Sequence, residues 1–92
     1  MLEPKLSNSF KKNYKLMIKR GLDISKLDKV IDEYLLPQKP IPPQYKDHQL
    51  KGNMREYREL HIEPDWLLIY KIDGINLLLY LERTGSHSDL FE

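Results

Sequence analysis

All three histidines, the side chains best suited to proton chemistry at neutral pH, lie in the second half of the chain: His48, His61 and His87. An unperturbed imidazole titrates near pH ~6.5, so it can both take and give a proton under ordinary conditions. His48 and His61 fall in YKDHQLKGNMREYRELHIEPDW, from Tyr45 to Trp66, and His87 in RTGSHSDLF near the C-terminus. Asp65, Trp66, Arg83 and Phe91 are close to them in sequence, with Lys46, Lys51, Arg55 and Arg58 interspersed. Cleaving an RNA phosphodiester needs a base for the 2′-hydroxyl, an acid for the leaving 5′-oxygen and a cation for the phosphorane charge. Arg83 is the natural cation. Trp66 and Phe91 offer rings for stacking on a base, although Trp66 equally suits a core and Phe91 the plug of a sheet end. Two other readings compete. Three histidines and an aspartate suit a transition metal such as zinc, but the tight H-x-x-x-H spacing of such sites is absent. The other is a binding module in which these groups are incidental.

These residues need a scaffold, and 92 residues provide for one modest domain. A chain of this size buries only roughly 60–65% of the surface its unfolded form exposes. With 40% hydrophobic and 32% charged residues, the composition is that of an ordinary globular protein. The absence of cysteine excludes disulfides and thiolate zinc sites. No apolar run approaches the ~18 residues of a membrane span, and the N-terminus lacks a signal-peptide pattern, so the expected location is cytoplasmic. The net charge of +1 conceals a basic block: Lys5, Lys11, Lys12, Lys15, Lys19 and Arg20, with no acidic residue between Lys5 and Arg20. Such a block points to a polyanionic or acidic partner, or simply to a solvated helix face.

The expected architecture is α+β: an N-terminal strand, a two-helix hairpin, then a twisted antiparallel sheet. Leu2, Pro4 and Leu6 suggest a short strand, at an edge because Pro4 donates no hydrogen bond. From Ser7 or Ser9 a helix places Phe10, Tyr14, Met17 and Ile18 on one face and Lys11, Lys15 and Lys19 on another, with Gly21 as the stop. A second helix, capped by Asp23 or Ser25, carries Leu27, Val30, Ile31 and Tyr34 and closes at Pro37. PQKPIPP is an extended connector. MREYRELHI reads as a strand turned at Glu63-Pro64. WLLIYKI and INLLLYLER flank Asp73-Gly74, a two-residue hairpin signal. That turn sets Ile72 against Ile75, Trp66 against Leu81 and Arg83 against Pro64. The last residues, GSHSDLFE, form a tail or a short final strand. This arrangement brings His61, Asp65 and His87 to one end of the sheet and leaves His48 unplaced.

Three motifs in order, KDHxLxG at Lys46 to Gly52, RxxHxxPDW at Arg58 to Trp66, and RTGSHxxLF at Arg83 to Phe91, resemble the YafQ branch of the RelE/ParE toxin superfamily. The likeness covers nearly the whole chain. It implies a ribosome-dependent endoribonuclease from a type II toxin–antitoxin module, cutting messenger RNA in the A site without metal or cofactor. The partners it implies are a cognate antitoxin, the ribosome and mRNA, with operator DNA reached only through the antitoxin. It implies His48, His61, Asp65 and His87 as the catalytic set, with Trp66 and Phe91 supporting the substrate nucleotide; Arg83 and Lys46 are expected at the substrate as cations. The basic face of Lys11, Lys12, Lys15, Lys19 and Arg20 would then dock on ribosomal RNA. The alternatives within the superfamily are a ParE-like gyrase poison and an inactive corepressor. Neither requires three histidines.

Overall fold

The computed structural model describes residues 1–91. Ser7 accepts a hydrogen bond from the Phe10 amide and so turns the first strand, β1 (Glu3–Leu6), into helix α1 (Asn8–Lys19). Gly21, at φ +83°, ends that helix: its amide bonds the Ile18 carbonyl while the Leu22 amide reaches back to Met17. This is the paired closure that favours glycine in the left-handed region. Asp23 caps α2 (Ile24–Val30), which continues as a π-helical turn over Ile31–Leu35. Phe10, Met17, Leu27, Val30, Ile31 and Leu35 are buried against the sheet, whereas Ile18, expected among them, is exposed beside the lysines. The proline-rich connector ends in a single 3₁₀ turn at Pro43–Tyr45.

The sheet has the order β1-β5-β4-β3-β2, with β2 His48–Gln49, β3 Arg58–Glu63, β4 Trp66–Asp73 and β5 Leu78–Gly85. β1 lies at an edge as Pro4 demands, but it pairs with β5 in parallel, returning through the helices. β4 is central. One of its faces places Trp66, Leu68 and Tyr70 under the helices. The other carries Leu67 and Ile69, also buried, outside that helix-side cluster. Among the described residues no helix is long and apolar enough to cross a membrane.

Three expectations need correcting. The strand starting at Met54 begins only at Arg58, because Gly52–Met54 forms a 3₁₀ turn and the Leu50 amide bonds the Tyr57 carbonyl across the loop. The β4–β5 connection spans residues 74–77, not Asp73-Gly74 alone. The Asp73 carboxylate accepts from the amides of Ile75 and Asn76, each at 3.0 Å, and Leu77 adopts φ +57°. A carboxylate that satisfies two loop amides stabilises the longer turn. The pairing shifts accordingly: Asp73 opposes Leu78, Tyr70 opposes Leu81, and Arg83 opposes Ile69 instead of Pro64. Finally, the C-terminal segment is a short helix, α3 (His87–Phe91), not a strand. Ser86 and Asp89 cap it reciprocally, the Ser86 amide donating to Asp89 at 2.9 Å and the Asp89 amide to Ser86 Oγ at 3.2 Å. Glu92, the end of the expected tail, lies outside the described residues.

Candidate active site

Directly opposed residues on neighbouring strands share a face, and strands lie about 4.8 Å apart. His48 opposes Glu59, Glu59 opposes Ile69, and Ile69 opposes Arg83, making one row across four strands. His61 belongs to the adjacent row, opposite Leu67. Arg83 reaches this face only because Glu82 is an extra residue in β5, a bulge between the Ile69 and Tyr70 pairings. Without it the alternation of β5 would turn Arg83 toward the helices.

The row has a buried charge at its centre. Glu59 is 5% exposed, and its Oε1 lies 3.6 Å from Nε2 of both His48 and His61. The opposite nitrogens of these two rings face carbonyls: Nδ1 of His48 lies 2.8 Å from the Lys46 oxygen and Nδ1 of His61 lies 3.3 Å from the Pro64 oxygen. A carbonyl only accepts, so each ring meets it by donating from Nδ1, and Nε2 is the nitrogen directed at Glu59. A second pairing of carboxylate and imidazole stands alongside. Asp65 Oδ1 accepts from the His87 backbone amide at 3.0 Å and from its Nδ1 at 2.8 Å. These contacts, the backbone one foremost, hold the Asp65 carboxyl below the ordinary carboxylate range. They also fix the His87 tautomer and leave Nε2 without a partner among the described residues. The rings form a chain: centroids are 6.4 Å apart for His48–His61, 5.9 Å for His61–His87 and 6.4 Å for His87–Phe91.

Each group is held from behind. Lys46, at φ +50°, bends the chain before β2, and Asp47 anchors the bend by accepting from Arg58 Nη2 at 2.8 Å and from the Tyr70 hydroxyl. Burial foremost, then this bond, pushes the Tyr70 phenol well above its usual value. Lys46 also lines a hollow of about 310 Å³ beside His61 and Pro64. Arg83 donates from Nη2 to the Asp89 carbonyl at 3.1 Å, while its buried Nε has no partner among the described residues.

Two expected site residues stand elsewhere. Trp66 is 2% exposed, and its indole N–H donates to Thr84 Oγ1 at 3.0 Å on the helix side, so it supports the site from beneath and offers no ring to a base. Arg20 is not free for docking: its guanidinium binds Asp89 through two bonds of 2.6 and 3.0 Å. Lys11, Lys12, Lys15 and Lys19 do stay exposed on α1, and the last three line a shallow groove with Leu16. Glu59 was missed by the reading of motifs. Its position two residues before His61, on the same strand face, was the available signal.

Residues 2–92 match the family of bacterial type II toxin–antitoxin toxins named YafQ. The chain belongs to the YafQ family. It is 44% identical over 85 residues to the mRNA interferase toxin YafQ of Escherichia coli K12, covering 92% of this chain and 90% of that one. The toxin in the E. coli DinJ-YafQ complex superposes with a TM-score of 0.90 at 40% identity, covering both chains fully. A metal-bound toxin from Helicobacter pylori gives a TM-score of 0.91 at 44% identity, covering 99% of this chain and all of that one. In this YafQ-family chain, no group of three or more His, Cys, Asp or Glu side chains among the described residues is arranged to hold a metal ion.

Proposed function

We propose that this chain is the toxin of a type II toxin–antitoxin module, an endoribonuclease that cleaves messenger RNA in the ribosomal A site by metal-independent acid–base chemistry. Its place of action is then the cytoplasm, and a cognate antitoxin neutralises it by binding. The observation that carries the reading is the Asp65–His87 pair, adjoining the two imidazoles around Glu59. In this mechanism one imidazole Nε2 takes the 2′-hydroxyl proton, and the 2′-oxygen attacks the adjacent phosphorus. The bond to the 5′-oxygen breaks as a protonated imidazole supplies that oxygen's proton. The products are a 2′,3′-cyclic phosphate and a 5′-hydroxyl end. His87, with tautomer and position set by Asp65, is one member of the pair, and a histidine at Glu59 is the other. Glu59 stands beside both Nε2 atoms, and Arg83 adds positive charge beside the phosphorane.

The test is cleavage of a defined mRNA by the purified protein, with and without programmed ribosomes. The expected result is A-site cleavage only with ribosomes, giving cyclic-phosphate ends. It should persist after EDTA treatment of the toxin once magnesium is restored to the ribosomes. Loss of cleavage on removing a stoichiometric metal from the toxin overturns the metal-free mechanism. Gyrase inhibition without RNA cleavage overturns the nuclease reading.

A further inference from the structure

Beyond Ile69 the open sheet face continues into a cleft that the acid–base chemistry does not use. Its volume is about 340 Å³, and Met54, Tyr57, Ile69, Glu82, Arg83 and Phe91 line it. Ligand pockets run from about 300 to 1,000 Å³, so this one suits a single planar group. Ile69 stands between Glu59 and Arg83 in the cross-strand row, which makes the cleft continuous with the histidine set. Lys71 Nζ lies 5.2 Å from the Tyr57 ring centroid and fixes that ring. Glu82 reaches this face by the ordinary alternation of β5 after Leu81, next to the Arg83 that the bulge turns here, and the Glu82 carboxylate enters no ion pair among the described residues.

We propose that this cleft holds one nucleobase of the RNA next to the cleaved bond, between Tyr57 and Phe91, and that Glu82 selects a base bearing an exocyclic amino group. Aromatic rings and a thioether suit the faces of any base. The carboxylate is different: it only accepts hydrogen bonds, so it pairs with the amino group of adenine, cytosine or guanine and repels the carbonyls of uracil, which has no amino group. Arg83 closes the cleft on the side where a phosphate must lie. The proposal rests on the nuclease reading for its biological role, but the binding is testable without it.

The experiment has two arms. In the first, the free protein is titrated with 5′-AMP, 5′-CMP and 5′-UMP while the Met54 and Ile69 methyl resonances are followed by NMR. AMP and CMP should shift both methyls through ring currents and bind about fivefold tighter than UMP. Glu82→Gln should abolish that difference, and Tyr57→Leu, which keeps apolar bulk without the ring, should weaken all three. In the second arm, the same proteins cleave ribosome-bound mRNAs varied at each A-site base. Glu82→Gln should lose about tenfold discrimination against uracil at one position. Absent methyl shifts, or a Glu82→Gln variant with the wild-type order of preference in both arms, overturns the cleft assignment. If nucleotides bind there as described and the wild type cleaves no RNA, the nuclease reading fails and the cleft stands.

Discussion

Glu59 shows how much one side chain decides here. Burying a carboxylate is unfavourable unless charge partners meet it, and the only such partners it has among the described residues are the two Nε2 atoms at 3.6 Å. Glu59→Gln keeps the volume and removes the charge. It should leave the fold intact and lower cleavage roughly 10²-fold, measured as single-turnover rate on programmed ribosomes; wild-type activity excludes Glu59 from the chemistry. Asp65 allows a check by pH. Its folded carboxyl titrates below the ~3.9 of an unfolded chain, mainly because the His87 amide donates to it. A depressed pKa gives stability that is complete above the unfolded value and is lost as pH falls through the folded one. Between pH 5 and 3 the His87 amide resonance should therefore move only below about 4, and Asp65→Asn should remove that acid transition. A midpoint above that value contradicts the link. The sequence exposed the histidines, Asp65 and Arg83 through residue type alone. Glu59 was hidden because a carboxylate in a strand usually reads as solvent-facing, and its burial depends on which strands flank β3.

At the scale of elements, α3 is tied to α1. The Schellman-type closure at Gly21 sets Arg20 at the end of α1, where its two bonds hold Asp89. That guanidinium is the largest cause keeping the Asp89 carboxyl far below its ordinary range, with the Ser86 amide second. α3 is also packed close on the end of β5, since a Cβ at Gly85 would sit 2.9 Å from the Asp89 Cβ. Arg20→Ala should thus act on the position of His87 more than on the fold. Exposed ion pairs contribute little to stability, so Tm should change little. Amide exchange at residues 87–90 should rise and kcat fall about tenfold, with Arg20→Lys restoring part of both. Unchanged exchange and kcat would make the contact incidental. Nothing in the sequence paired residues 69 positions apart. Local signals did reveal the helix caps, the edge strand and the strands of the sheet centre. They failed on register, because Asp73-Gly74 suggests a tight turn while the Asp73 carboxylate stabilises a longer one. The convergence survived that error: the true register carries β5 further along β4 and brings His87 directly to Asp65.

Over the whole molecule, the chemistry and the α1 lysines are separated by the sheet. α1 and α2 cover one face, with the α1 lysines outermost, and the histidines occupy the other. This division suits a protein that docks by one surface and reacts at another. Reversing Lys11, Lys15 and Lys19 to glutamate should weaken ribosome binding and lower its salt dependence by about one unit of slope per lost phosphate contact. Slow cleavage of free RNA should be nearly unchanged. Ribosome binding unaltered at every salt concentration would return these lysines to the role of a solvated face. The acid–base assignment itself is tested most directly by single-turnover cleavage of an A-site codon across pH, comparing wild type with His87→Ala. A bell-shaped wild-type profile is expected, with a loss of roughly 10²–10⁴-fold and one missing limb in the variant. A folded His87→Ala protein that cleaves at the wild-type rate, or keeps both limbs, would contradict the account.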